Sequence, residues 1–242
     1  MNDYAQNEKV LVVLAALARA GQALTVKELL RLTGLPQSSL YRQLGLLKKW
    51  GLVQEHAQTG LYEPGPLCLQ LAWGYDQHSW LLQAVRPELE KLTQTTGESA
   101  GLLCYLQGQV ICLDMQESQH ALRCSFAKGR GTPLWRGASA KCLLAHLPAV
   151  ELQQLWPLLD DAASQSKLQA EFALIRQQGY AISEHEVDQG VWGVSVAILN
   201  PQQQLLGGLS LMAPSARASL HAADWIKATQ AAVERVQRRL RA

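Results

Sequence analysis

Hydrophobic residues recur at helical spacing from the start of the chain. Val10, Leu11, Leu14, Leu17 and Ala18 predict a helix over residues 7–20, which Gly21 stops. Thr25-Val26-Lys27-Glu28 is a capping box: the threonine hydroxyl takes an orphan amide of the first turn and Glu28 reaches back. The short helix that follows buries Val26, Leu29 and Leu30 and ends at Gly34. Leu35-Pro36 opens a third helix running to Trp50, with Leu40, Leu44 and Leu47 inward and Gln37, Ser38, Tyr41, Arg42 and Lys48 outward. Leu52-Val53-Gln54 and Leu61-Tyr62-Glu63 then flank Gln58-Thr59-Gly60 as a hairpin.

Residues 5–63 therefore read as three helices and a two-stranded wing. Each helix is too short to be stable alone, so the three apolar faces must pack together. The pair around Gly34 has the helix-turn-helix arrangement, whose second helix enters a DNA major groove. A winged helix used only for protein contacts, joined to a ligand-free dimerisation domain, is the alternative.

Pro64 and Pro66 mark a boundary. Residues 67–96 are helical again, with breaks expected at Gly74 and at Ser79, a cap for the second piece. Trp73 and Trp80 lie seven residues apart on one face. That face is expected to be packed, either inside its own chain or as a dimer seam.

After Gly97 the period changes to two. Strands are expected over 99–107, 110–116 and 122–126, with a turn at Gly108-Gln109, and again over 180–187, 192–199 and 205–212. Helices are expected over 139–146, 150–156, 164–178 and 220–240. The result is an α+β domain on an antiparallel sheet. The domain limits are 1–63 for a winged helix-turn-helix domain, 64–82 for a linker helix and 83–242 for the α+β domain.

Charge adds little. The 22 Lys and Arg against 20 Asp and Glu give a net +2 over 242 residues, which excludes histone-like or strongly acidic proteins. Residues 1–62 hold an excess of +3 and the remainder nets −1, which is permissive for nucleic acid. The longest stretch free of charge, 189–216, contains Asn200-Pro201-Gln202-Gln203-Gln204, a turn no lipid-facing segment tolerates. The first residues have no signal-peptide pattern, so the expected location is the cytoplasm. Cys68, Cys104, Cys112, Cys124 and Cys142 show no metal spacing, and the Gly108-Gln109 turn would put Cys104 and Cys112 on opposite sheet faces. Free buried thiols are the expectation, with no metal and no cofactor.

Enzyme signatures are missing: no phosphate loop, no G-x-G-x-x-G, no H-E-x-x-H, no G-x-S-x-G. Glu184, His185, Glu186 and Asp188 form the one dense titratable cluster, but on a strand Glu184 and Glu186 face away from His185. A solvated strand edge is the simpler account. Arg235, Arg238, Arg239 and Arg241 read as a solvated last helical turn.

Three segments together resemble the IclR family of bacterial transcriptional regulators. Residues 24–44 (LTVKELLRLTGLPQSSLYRQL) with Gly51-Leu52-Val53 are similar to its DNA-reading unit. Residues 132–145 (TPLWRGASAKCLLA) and 179–198 (GYAISEHEVDQGVWGVSVAI) resemble the segments on either side of its effector pocket. The resemblance implies a winged helix-turn-helix domain, a linker helix and a GAF-like effector domain. It also implies dimers, often paired into tetramers, that bind operator DNA and respond to a small metabolite. The family pocket often has an acidic residue where this chain has Ser183 and a cysteine where it has Gly193. A second serine falls on Met212, the first is kept as Ser210, and a glycine before Lys141 is Ala140. These departures argue against a glyoxylate- or pyruvate-like ligand.

The expected DNA contacts are Thr25, Gln37, Ser38, Ser39, Tyr41, Arg42 and Lys48, because Gln suits adenine, Arg suits guanine or phosphate, and hydroxyls serve either role. The expected effector site comprises Ala138, Ser139, Ser183, Trp192, Gly193, Ser195, Ser210 and Met212. Amides at the start of the 139–146 helix suit an anion. Trp192 and Met212 favour an acid with a hydrophobic or aromatic body, unless Trp192 fills the cavity itself. The expected protein is thus a non-enzymatic repressor with operator DNA, a small organic acid and further copies of itself as partners, and no membrane.

Overall fold

The computed structural model describes residues 5, 7–159 and 161–241, which form two compact units divided between Ser79 and Trp80. In the first unit, α1 (Glu8–Ala20), α2 (Val26–Thr33) and α3 (Gln37–Lys49) are followed by β1 (Val53–Glu55), β2 (Tyr62–Pro64) and α4 (Pro66–His78). Val13, Leu17, Leu29, Leu40, Leu44, Leu47 and Tyr62 share one core. Leu11 is 62% exposed, because the buried stripe of α1 runs through Val13, Ala16 and Leu17. The capping box forms, with Glu28 N donating to Thr25 Oγ1 at 3.2 Å and Thr25 N to Glu28 Oε2 at 2.8 Å. The wing strands start one residue later than expected, since Leu52 N is taken by Leu47 O as α3 ends. Gly65 enters α4 against the backbone of Gly51, where any Cβ would lie 2.2 Å from a carbonyl oxygen.

Gly74 does not break α4; the helix runs through it to His78 and stops at Ser79, whose backbone is extended. No residue of α4 is buried. Trp73 and Trp80 are 64% and 58% exposed, so packing within the chain does not cover them.

The second unit holds α5 (Trp80–Thr96), β3 (Ser99–Leu106), β4 (Gln109–Gln116), β5 (Gly131–Thr132), α6 (Ala138–Ala145), α7 (Ala149–Leu155) and a 3-10 turn at Trp156–Leu158. It continues with α8 (Ala162–Gln178), β6 (Ala181–Glu184), β7 (Val191–Leu199), β8 (Leu205–Pro214) and α9 (Ser215–Arg239). The sheet is antiparallel throughout, in the order β5-β4-β3-β8-β7-β6. The fold is α+β, as the alternation of periods indicates.

The β3–β4 turn lies at Gln107-Gly108, one residue before the expected position. Both have positive φ, 47° and 81°, the two-residue turn that suits the strand twist. Leu103 then pairs with Cys112 and Cys104 with Ile111, which keeps the two thiols on opposite faces. All five cysteines are free, and burial pushes the Cys104 and Cys112 thiols up to about 11. Residues 122–126 are not a strand; β5 takes that edge of the sheet instead.

Alternation along the central strands decides what each layer receives. Trp192, Val194, Val196, Leu209, Leu211 and Ala213 face α5 and α9. Gly193, Ser195 and Ala197 pair with Met212, Ser210 and Gly208 on the opposite face, toward α6. The C-terminal arginines are not merely solvated. Arg235 Nε lies 2.7 Å from Glu88 and an Arg239 nitrogen lies 2.9 Å from the same carboxylate, which is only 2% exposed on α5.

Among the described residues no helix is long and apolar enough to cross a membrane, and no cluster of His, Cys, Asp or Glu could hold a metal ion.

Candidate DNA-reading helix and effector pocket

In the first unit α3 presents Gln37, Ser38, Tyr41 and Arg42 to solvent. Ser39 is turned inward, and its hydroxyl is buried without a hydrogen-bond partner among the described residues. Position 39 falls beside Leu40 and Gln43 on the packed side of the helix, so it is corrected from the DNA-facing set. Gln43, 4% exposed, joins the core, which its polarity had concealed. The Thr25 hydroxyl is committed to the cap of α2, donating to Glu28 Oε2 at 2.8 Å. Lys48 pairs with Glu55 of β1, tying the wing to the end of α3. Arg42 is exposed and forms no ion pair among the described residues.

In the second unit a cavity of about 450 Å³ opens at the start of α6. Its floor comes from β7 and β8 through Gly193, Ser210 and Met212, its far wall from residues 187–191, and its roof from residues 122–126. The cavity forms because α6 begins abruptly. Trp135 is stacked on Trp156 at 5.3 Å, and Gly137 then turns the chain with φ 92°. A Cβ on Gly137 would meet Val187 at 2.7 Å.

The first amides of α6 are already partly used. Gly137 N donates to Glu186 Oε2 at 3.0 Å and Ala138 N to Ser183 Oγ at 2.8 Å. The amides of Ser139 and Ala140 carry no acceptor among the described residues. Ser139 Oγ shares a hydrogen bond of 2.9 Å with Ser210 Oγ, which donates to Ser195 Oγ at 2.9 Å. Ser195 is fully buried beside Ser210 and lies against Cys142, whose thiol burial pushes up to about 12. Burial, and then Glu98, also push the Cys124 thiol in the roof upward, so it stands in the cavity un-ionised.

Six expected effector residues line this cavity: Ala138, Ser139, Ser183, Gly193, Ser210 and Met212. Two do not. Ser195 is buried beside Ser210. Trp192 sits on the other face of the sheet, 5.9 Å from Trp225 of α9. Adjacent strand residues face opposite ways, so Trp192 and Gly193 cannot both enter one pocket. Trp192 therefore neither walls the cavity nor fills it.

Of the acidic cluster, Glu184, His185 and Asp188 are exposed, and only Glu186 is corrected from the solvated edge. Strand β6 ends at Glu184 and His185 turns with φ 59°, which frees Glu186 to swing onto α6. Lys141, buried on α6, lies 2.6 Å from Glu186 and 2.5 Å from Glu171 of α8. These carboxylates fix the pocket's framework rather than dissolve in solvent.

The family model for the C-terminal domain of bacterial IclR regulators matches residues 75–238, and that for the IclR helix-turn-helix domain matches residues 8–57. The chain belongs to the IclR family of transcriptional regulators. This IclR-family chain is 26% identical over 202 residues to the transcriptional regulator KipR of Bacillus subtilis, covering 81% of this chain and 80% of that protein. It is 23% identical to the transcriptional repressor IclR of Escherichia coli, covering 86% and 79%. Among solved structures it superposes on an IclR regulator from a Silicibacter species with a TM-score of 0.86 at 24% identity, covering 98% and 96% of the two chains. A C-terminal domain from a Vibrio cholerae regulator is 35% identical, covers 66% of this chain and 99% of that one, and gives a TM-score of 0.62.

Sequence reasoning missed the roof at 122–126, most of the far wall at 187–191, and one arginine at the mouth. Arg136 lines the cavity beside Gly137, exposed and without an ion pair or hydrogen bond among the described residues. The other arginine of the lining, Arg123, is held by Glu117 at 2.8 Å. No local pattern marks Arg136; only the turn at Gly137 brings it to the mouth.

Proposed function

We propose that this chain is a repressor that binds operator DNA as a dimer or tetramer and is modulated by a small organic acid with an apolar body. In this reading residues 1–63 read DNA, 64–82 link, and 83–242 bind the effector and assemble. The observation that carries it is the start of α6, where two unbonded amides and the Ser139–Ser210 hydroxyls meet a cavity whose apolar lining includes Leu122, Phe126, Val187 and Met212. A helix start favours an anion, and the apolar walls favour a body larger than a keto acid's.

Gln37, Ser38, Tyr41 and Arg42 supply the groove contacts. One such helix reads too few base pairs for useful specificity, so two copies on half-sites about one helical turn apart are required. The uncovered face of α4, with Leu69, Leu71 and Trp73 exposed, supports self-association.

Selection of genomic fragments on the purified protein, followed by affinity at about 50 and 200 mM salt, tests the reading. A regulator that neutralises phosphates loses affinity steeply between the two and enriches a palindromic site. A protein-interaction module shows neither.

A further inference from the structure

We propose that Arg136 is the anion-selecting residue of the effector pocket, and that it restricts the ligand to monoanionic acids with an apolar body. The inference rests on the reading that this pocket takes an organic acid, and it names the side chain that enforces the choice.

Arg136 is held at the cavity mouth from both sides. Trp135 before it is locked into the stack with Trp156 and Phe172, at centroid distances of 5.3 and 6.0 Å. Gly137 after it is fixed by the hydrogen bond to Glu186, and a side chain there would strike Val187. The backbone thus cannot withdraw, yet the guanidinium has no carboxylate to satisfy it among the described residues. Two nearby cations are already engaged: Arg123 pairs with Glu117, and Lys141 with Glu171 and Glu186.

A guanidinium offers a planar fork of donors that matches a carboxylate. The Ser139 and Ala140 amides stand at the adjacent start of α6, so the two oxygens of one carboxylate have donors of both kinds. Asp188 also lines the cavity and is exposed; it repels a second anionic group from that side, which is why a monoanion fits better than a diacid.

Calorimetric titration of the full chain with benzoate, hexanoate and neutral benzamide tests this. Wild type is expected to bind at least one acid and to bind benzamide far more weakly. R136A should weaken acid binding by about 10- to 100-fold, and R136K should recover part of the loss. Because Arg136 makes no contact that holds the fold, both variants should melt like wild type without ligand. If R136A binds the acid within about twofold of wild type, the selector role fails and the acid pocket stands. If wild type binds neither acid, or binds benzamide equally well, the pocket reading fails and this inference goes with it.

Discussion

The Ala138 amide donates to the Ser183 hydroxyl at 2.8 Å, so the first residue of α6 is capped from the neighbouring strand β6. Ser183 also lines the cavity, which makes it a wall and a cap at once. With Gly137 bonded to Glu186, two successive amides are satisfied by the protein, and the proposed anion site begins only at Ser139.

Ser183→Ala should leave a buried amide without an acceptor. A cost of about 1–2 kcal/mol is expected, read as a lower urea midpoint with an unchanged slope. A variant as stable as wild type would show that water replaces the hydroxyl without loss.

Asp114 supplies a pH dependence. Burial pushes its carboxyl upward, but hydrogen bonds from Lys128 and Arg86 outweigh that and hold it below the usual range. Arg86 Nε is 2.6 Å away and Lys128 Nζ 2.5 Å. A depressed folded value means the stabilisation is complete above the unfolded pKa of about 3.9 and is lost as pH falls through the lower folded value. Asp114→Asn should cost about 3 kcal/mol at pH 7, the low end for a broken buried pair because both cations reach solvent. Urea titrations from pH 7 to pH 3 should show the gap from wild type closing on the acid side; a constant gap would refute the assignment.

Arg42→Ala should weaken binding to a selected operator by about 1–3 kcal/mol if the guanidinium reads a base. The exposed position predicts no change in melting temperature. A folded variant with full operator affinity removes Arg42 from the interface.

What the chain reveals in advance follows from the range of each interaction. Thr25 and Glu28 are three residues apart, so the cap is readable by eye, and the period-two run through Val194 announces a central strand. Which face that strand offers is a tertiary matter. Trp192 looked like a pocket wall until pairing with Ala213 put it against α9. The Glu88–Arg235 pair joins residues 147 positions apart, so neither residue alone signals it. Glu186 misled for the opposite reason: a strand pattern continued past Glu184, where the positive φ of His185 turns the chain onto Lys141. Arg136 was hidden because its role depends on what fails to reach it.

On the proposed reading, ligand in the α6 cavity controls the DNA-binding unit. Fluorescence anisotropy of the full chain on its selected operator, with and without a saturating concentration of an acid shown by calorimetry to bind, tests it most directly. A change in operator affinity of at least about fivefold is the predicted result, with the acid binding operator-bound protein altered by the same factor. An operator affinity unchanged while the acid occupies the pocket would show that the cavity does not control DNA binding.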